Sequence, residues 1–351
     1  MIFNSLSPLR YRWPFLAKLF FFLLTIAMLA APIPYVFFKP GVPNNVTGQL
    51  IEITDKQSFE PNGKLFITSI LVTNPDAPVF GAETLYNWAI GPHAVLPRES
   101  VYPPLSDDSQ VIRDSRDEMT TSKITATAAA LSYLGYKFEE IYYVSRIRVN
   151  SDAKGKLLPG DRIISVDGDL IKEIEQIRTA YKERSIGDVI PIEIERDLEG
   201  KLIKATYEVK LIANGGIDVD PNSPAIGILV GTSAKFPVDV RFNLRGVGGP
   251  SAGLVFALGI VEKLDAEDLL RGRSIAGTGT ISVSGKVGAI GGIEEKMIGA
   301  SRKGATIFLA PRDNCPDIKH VPKDLKVIPV ATLKEAVEVL RAPDDFQFPT
   351  C

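Results

Sequence analysis

Histidine and cysteine are each present only twice in 351 residues, at His93 and His320 and at Cys315 and Cys351. That supply is too small for a zinc ribbon, a multi-histidine metal centre or a disulfide-rich scaffold. Neither a metal site nor an organic cofactor is expected, and a Ser-His-Asp triad would have to recruit one of the two histidines. Cys351 sits in a loose tail with little to hold it, so no essential disulfide is expected. Positive charge is not in excess either: 40 Lys and Arg face 42 Asp and Glu. Without a basic surplus there is no electrostatic footing for a nucleic-acid backbone, and nucleic acid is not expected as a partner. The chain also contains no G-x-x-x-x-G-K-[ST] loop, the usual cradle for nucleotide-driven work.

Acidic residues are missing before Glu52, and Arg10, Arg12 and Lys18 precede an uncharged run, LFFFLLTIAMLAAPIPYVFF, at 19–38. Twenty helical residues span about 30 Å, the depth of a bilayer's hydrocarbon core. The run predicts a retained transmembrane helix at 19–38 with residues 1–18 in the cytoplasm. The expected localisation is then the cell membrane, single-pass, with the rest of the chain extracytoplasmic. Pro32 and Pro34 are expected to kink or end the helix near its outer end.

Beyond that run the pattern is mixed α/β (α+β). Residues 40–137 hold a strand-like stretch at Lys64–Thr73 and a helical stretch from Asp108 to Leu134, with Gly135 as its stop. Residues 138–212 read as short alternating strands around one amphipathic helix. From 217 to 341 strands and helices alternate and glycine becomes frequent. Thr332 to Glu335 forms a capping box for the last helix, and 342–351 is the tail.

Two glycine-rich segments carry the chemistry. Gly246 to Gly253, GVGGPSAG, feeds an apolar helix, LVFALGIVEKL. Ser251 then lies near a helix amino terminus, whose unpaired N–H groups favour negative charge. Three readings stay open for this motif: a nucleophile beside an oxyanion site, a phosphate cradle, or a serine that merely caps the helix. The second segment, ISVSGKVGAIGGIEEKMIGASR at 281–302, places Lys296 in the first turn of a helix beside Ile293, Met297 and Ala300. Apolar surroundings lower a lysine's pKa and fit it to act as a general base. On the phosphate reading, Lys286 or Lys296 would meet the phosphates.

GPSAG at 249–253, Thr278-Gly279 within AGTGTIS, and GGIEEK at 291–296 followed by GASRKGA resemble the proteolytic domain of Lon-type serine proteases. That resemblance implies a Ser-Lys dyad of Ser251 and Lys296, 45 positions apart. It further implies Thr278 as the residue orienting the amine, and an oxyanion and nucleophile loop at Gly249, Ser251 and Ala252. Residues 138–212, with KLLPGDRIISVDG at 156–168, resemble a PDZ domain. The whole arrangement is similar to membrane-anchored PDZ-Lon proteins of bacteria. Gly248 departs from the acidic residue usual before GPSAG in cytosolic Lon, and the glycine-rich carboxylate-binding loop of PDZ domains is not recognisable. The implied function is an ATP-independent serine endopeptidase acting on unfolded or exposed polypeptides outside the membrane, with the PDZ region recruiting or gating substrate. Assembly as a homo-oligomer follows from the same resemblance. The alternative is a non-catalytic PDZ scaffold whose Lon-like domain only oligomerises.

Overall fold

Strands that are apolar at successive positions need cover on both faces. Lys64–Ile67, Ser274–Gly277, Ile307–Pro311 and Lys326–Val330 are of this kind and lie parallel, in that order, with Asn44–Asn45 antiparallel at one edge. They form the central sheet of the protein, a computed structural model that describes residues 14–89, 94–102, 108–198, 201–214, 223–244, 246–343, 347 and 349–351. Leu65, Ile67, Ile275, Leu309, Ile328 and Val330 enter one apolar cluster. The alternate residues Phe66, Ala276, Phe308, Ala310 and Val327 enter another. This is the period-two pattern of a sheet with two buried faces.

Among the described residues the helices are α1 (Phe15–Ala30), α2 (Gly81–Ala89), α3 (Arg98–Val101), α4 (Asp108–Tyr133), α5 (Ile174–Thr179), α6 (Gly253–Leu264), α7 (Ile293–Arg302) and α8 (Leu333–Arg341). The first face of the sheet is covered by α4, α6 and α8 through Met119, Ala126, Phe256, Val337 and Leu340. The second is covered by α7 through Ile293, Met297 and Ala300. Helix α6 is buried almost all round, as its continuous apolar sequence requires.

A separate unit is built from Lys201–Lys210, Val189–Leu198, Arg162–Val166, Glu139–Ile147 and Ile228–Lys235, in that sheet order. It has its own core of Val144, Ile163, Ile190, Ile192, Ile194 and, from α5, Ile177. The chain enters this unit from α4 and leaves it toward the strand Val240–Phe242, which pairs with Ile51–Ile53. The core around α6 therefore draws on Val46, Ile51, Leu65 and Met119 from before the unit as well as on residues after it. A third sheet sets Tyr35–Pro40 between Ile70–Val72 and Ala94–Pro97, all antiparallel.

The amino-terminal run does not form the expected span. Helix α1 is 16 residues long and stops at Ala30, because Pro32 has no N–H for the helical ladder and biases Ala31 toward the extended conformation it adopts. Sixteen residues reach about 24 Å, short of the roughly 30 Å of a hydrocarbon core. Tyr35 to Phe38, the end of the expected span, is strand instead, with Val36 and Phe37 buried. No helix among the described residues is long and apolar enough to cross a membrane. The transmembrane helix at 19–38, the single-pass topology and the cell-membrane localisation are thus unsupported. Residues 1–13 and His93 lie outside the described residues. The stretch Lys64–Thr73 also divides, into Lys64–Ile67 and Ile70–Val72, at Thr68, whose hydroxyl donates to the Gly277 carbonyl at 3.0 Å. Cys315 and Cys351, not expected to need each other, are joined by a disulfide with Cα atoms 5.0 Å apart.

Leu65 tests whether the early strand and the later helices share one core. It is fully buried, and truncating such a leucine costs about 2–5 kcal/mol. Leu65→Ala should lower the thermal midpoint of the cooperative unit that contains α6, as followed by hydrogen exchange of the α6 amides. Unchanged protection there would disprove the shared core.

Candidate active site

The turn from Gly246 to Gly253 is shaped by its contact with α4. Gly249 has φ +82°, a left-handed conformation that favours glycine, and its N–H donates to the Ser115 carbonyl at 2.9 Å. A Cβ on Gly248 would fall 2.1 Å from the Ser115 hydroxyl, so any other residue there would make the Ser115 side chain or the turn shift. Pro250 has no N–H. Gly253 donates to the Pro250 carbonyl at 3.4 Å, and Leu254 donates to the Gly279 carbonyl at 3.1 Å. Among the described residues this leaves the N–H groups of Ser251 and Ala252 without acceptors. They stand at the start of α6, where the helix dipole adds positive potential. Ala252 occupies the N-cap and no side chain caps the helix, so Ser251 is not held as a capping residue.

Thr278 follows the strand Ser274–Gly277 and is fully buried. Its N–H donates to Leu309 at 3.1 Å, which pins it to the neighbouring parallel strand. Its hydroxyl donates to the Ser251 carbonyl at 3.1 Å, and Gly279 N–H donates to the same carbonyl at 2.8 Å. The turn bearing Ser251 is thereby tied to the end of the central sheet.

Lys296 comes from the opposite face of that sheet. Gly292, at φ +67°, opens α7, and the first turn carries Lys296 inward beside Ile293 and Met297. The lysine is 3% exposed, and its amine donates to the Thr278 hydroxyl at 3.2 Å. Among the described residues no carboxylate pairs with it. Burial without a counter-charge pulls its pKa from the ordinary lysine range down to about 7. The neighbouring Glu295 is also buried, and loss of hydration is the main cause of its raised pKa.

Thr278 thus joins the two motifs. Its proton goes to the Ser251 carbonyl while its lone pair accepts from Lys296, which orients the amine at this site. The amine does not hydrogen-bond the Ser251 hydroxyl directly; the connection runs through Thr278. Gly249, Ser251 and Ala252 all lie in the turn that meets Thr278. Lys286 is exposed in the turn between Thr280–Ile281 and Val287–Gly288, whereas Lys296 is buried. His320 is exposed and faces Glu294. Sequence reasoning missed Ser115 and Ser122 on α4, although a seven-residue spacing on one helix places them on one face.

Residues 246–342 match the family described as Lon protease (S16) C-terminal proteolytic domain. Lon protease 1 of Bacillus subtilis (strain 168) is 40% identical over 78 residues, covering 22% of this chain and 10% of that protein. Lon protease of Aster yellows witches'-broom phytoplasma (strain AYWB) is 28% identical over 160 residues, covering 42% of this chain and 20% of that protein. The chain spans a fifth or less of the length of these two relatives. Among solved structures, the PDZ domain of an SdrC-like protein from Listeria monocytogenes is 23% identical, with a TM-score of 0.22, covering 27% of this chain and 90% of that one. The Lon relatives support a serine-type peptidase.

The buried amine has a cost that can be measured. Because the folded-state pKa is lowered, the unfolded chain binds more protons between about pH 7 and the ordinary lysine value, and stability rises with pH across that window. The penalty is present in full below about pH 7. Lys296→Met, similar in length and uncharged, should therefore raise the thermal midpoint at neutral pH by several degrees, with the gain shrinking as the solution is made alkaline. A lower midpoint at neutral pH would show that the amine is not buried at a cost.

Proposed function

We propose that this chain is an ATP-independent serine endopeptidase that cleaves unfolded or exposed polypeptides with a Ser251–Lys296 dyad. The reading rests on one observation above the rest: a buried lysine amine, held by Thr278, shares that threonine's hydroxyl with the carbonyl of Ser251. In the reaction Ser251 Oγ attacks the peptide carbonyl while Lys296 Nζ takes its proton. The negative oxygen of the tetrahedral intermediate is met by the free N–H groups of Ser251 and Ala252. Lys296 then returns the proton to the leaving amine, and water hydrolyses the acyl-enzyme by the same steps in reverse order. Thr278 keeps one N–H of the amine engaged, so that the nitrogen lone pair is left for the serine proton.

Residues 138–212 are proposed to act as a PDZ domain that recruits or gates substrate, since they form a sheet and a helix with a core of their own and contain neither Ser251 nor Lys296. The sheet of that unit extends to Ile228–Lys235, which pairs with Glu139–Ile147 along its length. Lys235 is the register partner of Glu139, and the strand then leads toward the nucleophile turn. A domain that gates would have its connection there.

Cleavage of an unfolded protein substrate should fall on the order of 10³-fold or more in Ser251→Ala and in Lys296→Arg, whose guanidinium stays charged. His320→Ala should remain as active as the wild type. The rate in the wild type should rise with pH through a midpoint near the value of about 7 set by burial of Lys296, because only the neutral amine accepts a proton. Retained activity in Lys296→Arg would falsify the dyad. A wild-type protein that binds polypeptides but never cuts them would favour the scaffold reading.

A further inference from the structure

The two N–H groups proposed to meet the oxyanion are useful only if the peptide planes that carry them are held still. Proline fixes its own φ, so the plane between Pro250 and Ser251 keeps one principal freedom, rotation about the Pro250 ψ bond. That rotation is restrained weakly from within the turn, by the Gly253 N–H at 3.4 Å, and at closer range from outside it. Ser122, in α4 and 4% exposed, donates its hydroxyl to the Pro250 carbonyl at 3.0 Å. A trans peptide is planar, with N–H and C=O on opposite sides. With the carbonyl drawn toward α4, the Ser251 N–H is turned away from it and left without an acceptor. The preceding N–H, of Gly249, is held by Ser115, two helical turns before Ser122 on the same face. One helix therefore grips successive parts of the turn, once through its backbone and once through a side chain.

We propose that Ser122 is a positioning residue of the peptidase reaction, whose hydroxyl holds the Pro250 carbonyl and so aims the Ser251 N–H at the oxyanion. This rests on the peptidase reading given above. Ser122 touches no reacting atom. Its effect is felt where charge develops, in the transition state, and not in substrate binding.

The test compares wild type, Ser251→Ala, Ser122→Ala and Ser122→Thr on one unfolded substrate, with inhibition by a peptide boronate that forms a tetrahedral serine adduct. Ser122→Ala should lose about 10-fold in kcat, a fraction of the loss typical for an oxyanion donor itself. Its KM should stay the same, and so should the pH midpoint of its rising limb, because Lys296 is untouched. Boronate affinity should weaken by the same factor as kcat, and Ser122→Thr, which keeps a hydroxyl, should recover most of both. Wild-type kcat in Ser122→Ala, a loss confined to KM, or unchanged boronate affinity would overturn the inference. If Ser122→Ala does not fold, Ser122→Cys carries the comparison: its weaker donor should lower kcat and boronate affinity together, and wild-type values for both would overturn the inference. Absence of Ser251-dependent cleavage in the wild type is a different outcome, and it would remove the peptidase reading itself.

Discussion

The amine of Lys296 is held by a hydroxyl, with no carboxylate at hand among the described residues, and the arrangement of the site follows from that choice. A carboxylate partner would stabilise the ammonium and keep the proton on the lysine. A threonine offers orientation without charge, so burial can act on the pKa unopposed. This works only while Thr278 is rigid and Lys296 stays dry. The first condition is met by the Leu309 hydrogen bond at the end of a buried parallel strand. The second is met by α7, whose Ile293, Met297 and Ala300 seal the same face of the sheet. Thr278 sits where both conditions meet, and its remaining hydrogen bond fastens the turn that bears Ser251.

The central sheet explains how segments far apart in sequence reach one place. Its strands are covered on one face by α4, α6 and α8 and on the other by α7. Ser251 is delivered from the α6 layer and Lys296 from the α7 layer, so the two approach each other around the end of the Ser274–Gly277 strand. A site between two layers has walls from both, and neither layer alone could both enclose the amine and present the N–H groups.

Much of the local structure was legible in residue patterns, and the failures have physical causes. The glycine-rich turns before α6 and α7, the Thr332 cap and the long helix ending before Gly135 are local features, and local rules found them. The run at 19–38 misled because hydropathy averages over a helix that two prolines interrupt; its second half is apolar in order to fill a sheet, not a bilayer. The contact of α4 with the turn at Gly246 to Gly253 was invisible for a different reason. Ser122 and Pro250 are 128 positions apart, and no pattern along the chain announces a hydrogen bond across an inserted unit. The Cys315–Cys351 pair likewise depends on where the tail folds back, which its composition does not state.

Seen from the central sheet, everything between Glu139 and Lys235 is a single long loop whose two ends are already together, because those residues are paired at the base of its sheet. While that unit is folded, the host bears almost none of the entropy of closing the loop. Should it unfold, an open loop of roughly 100 residues would have to be closed by α4 and the Val240–Phe242 strand alone, at a cost of about 4 kcal/mol from the length-dependent part of the closure entropy. The folded state of the inserted unit is thus a thermodynamic contributor to the pairing of α4 with the Val240–Phe242 segment, even if it never touches a substrate.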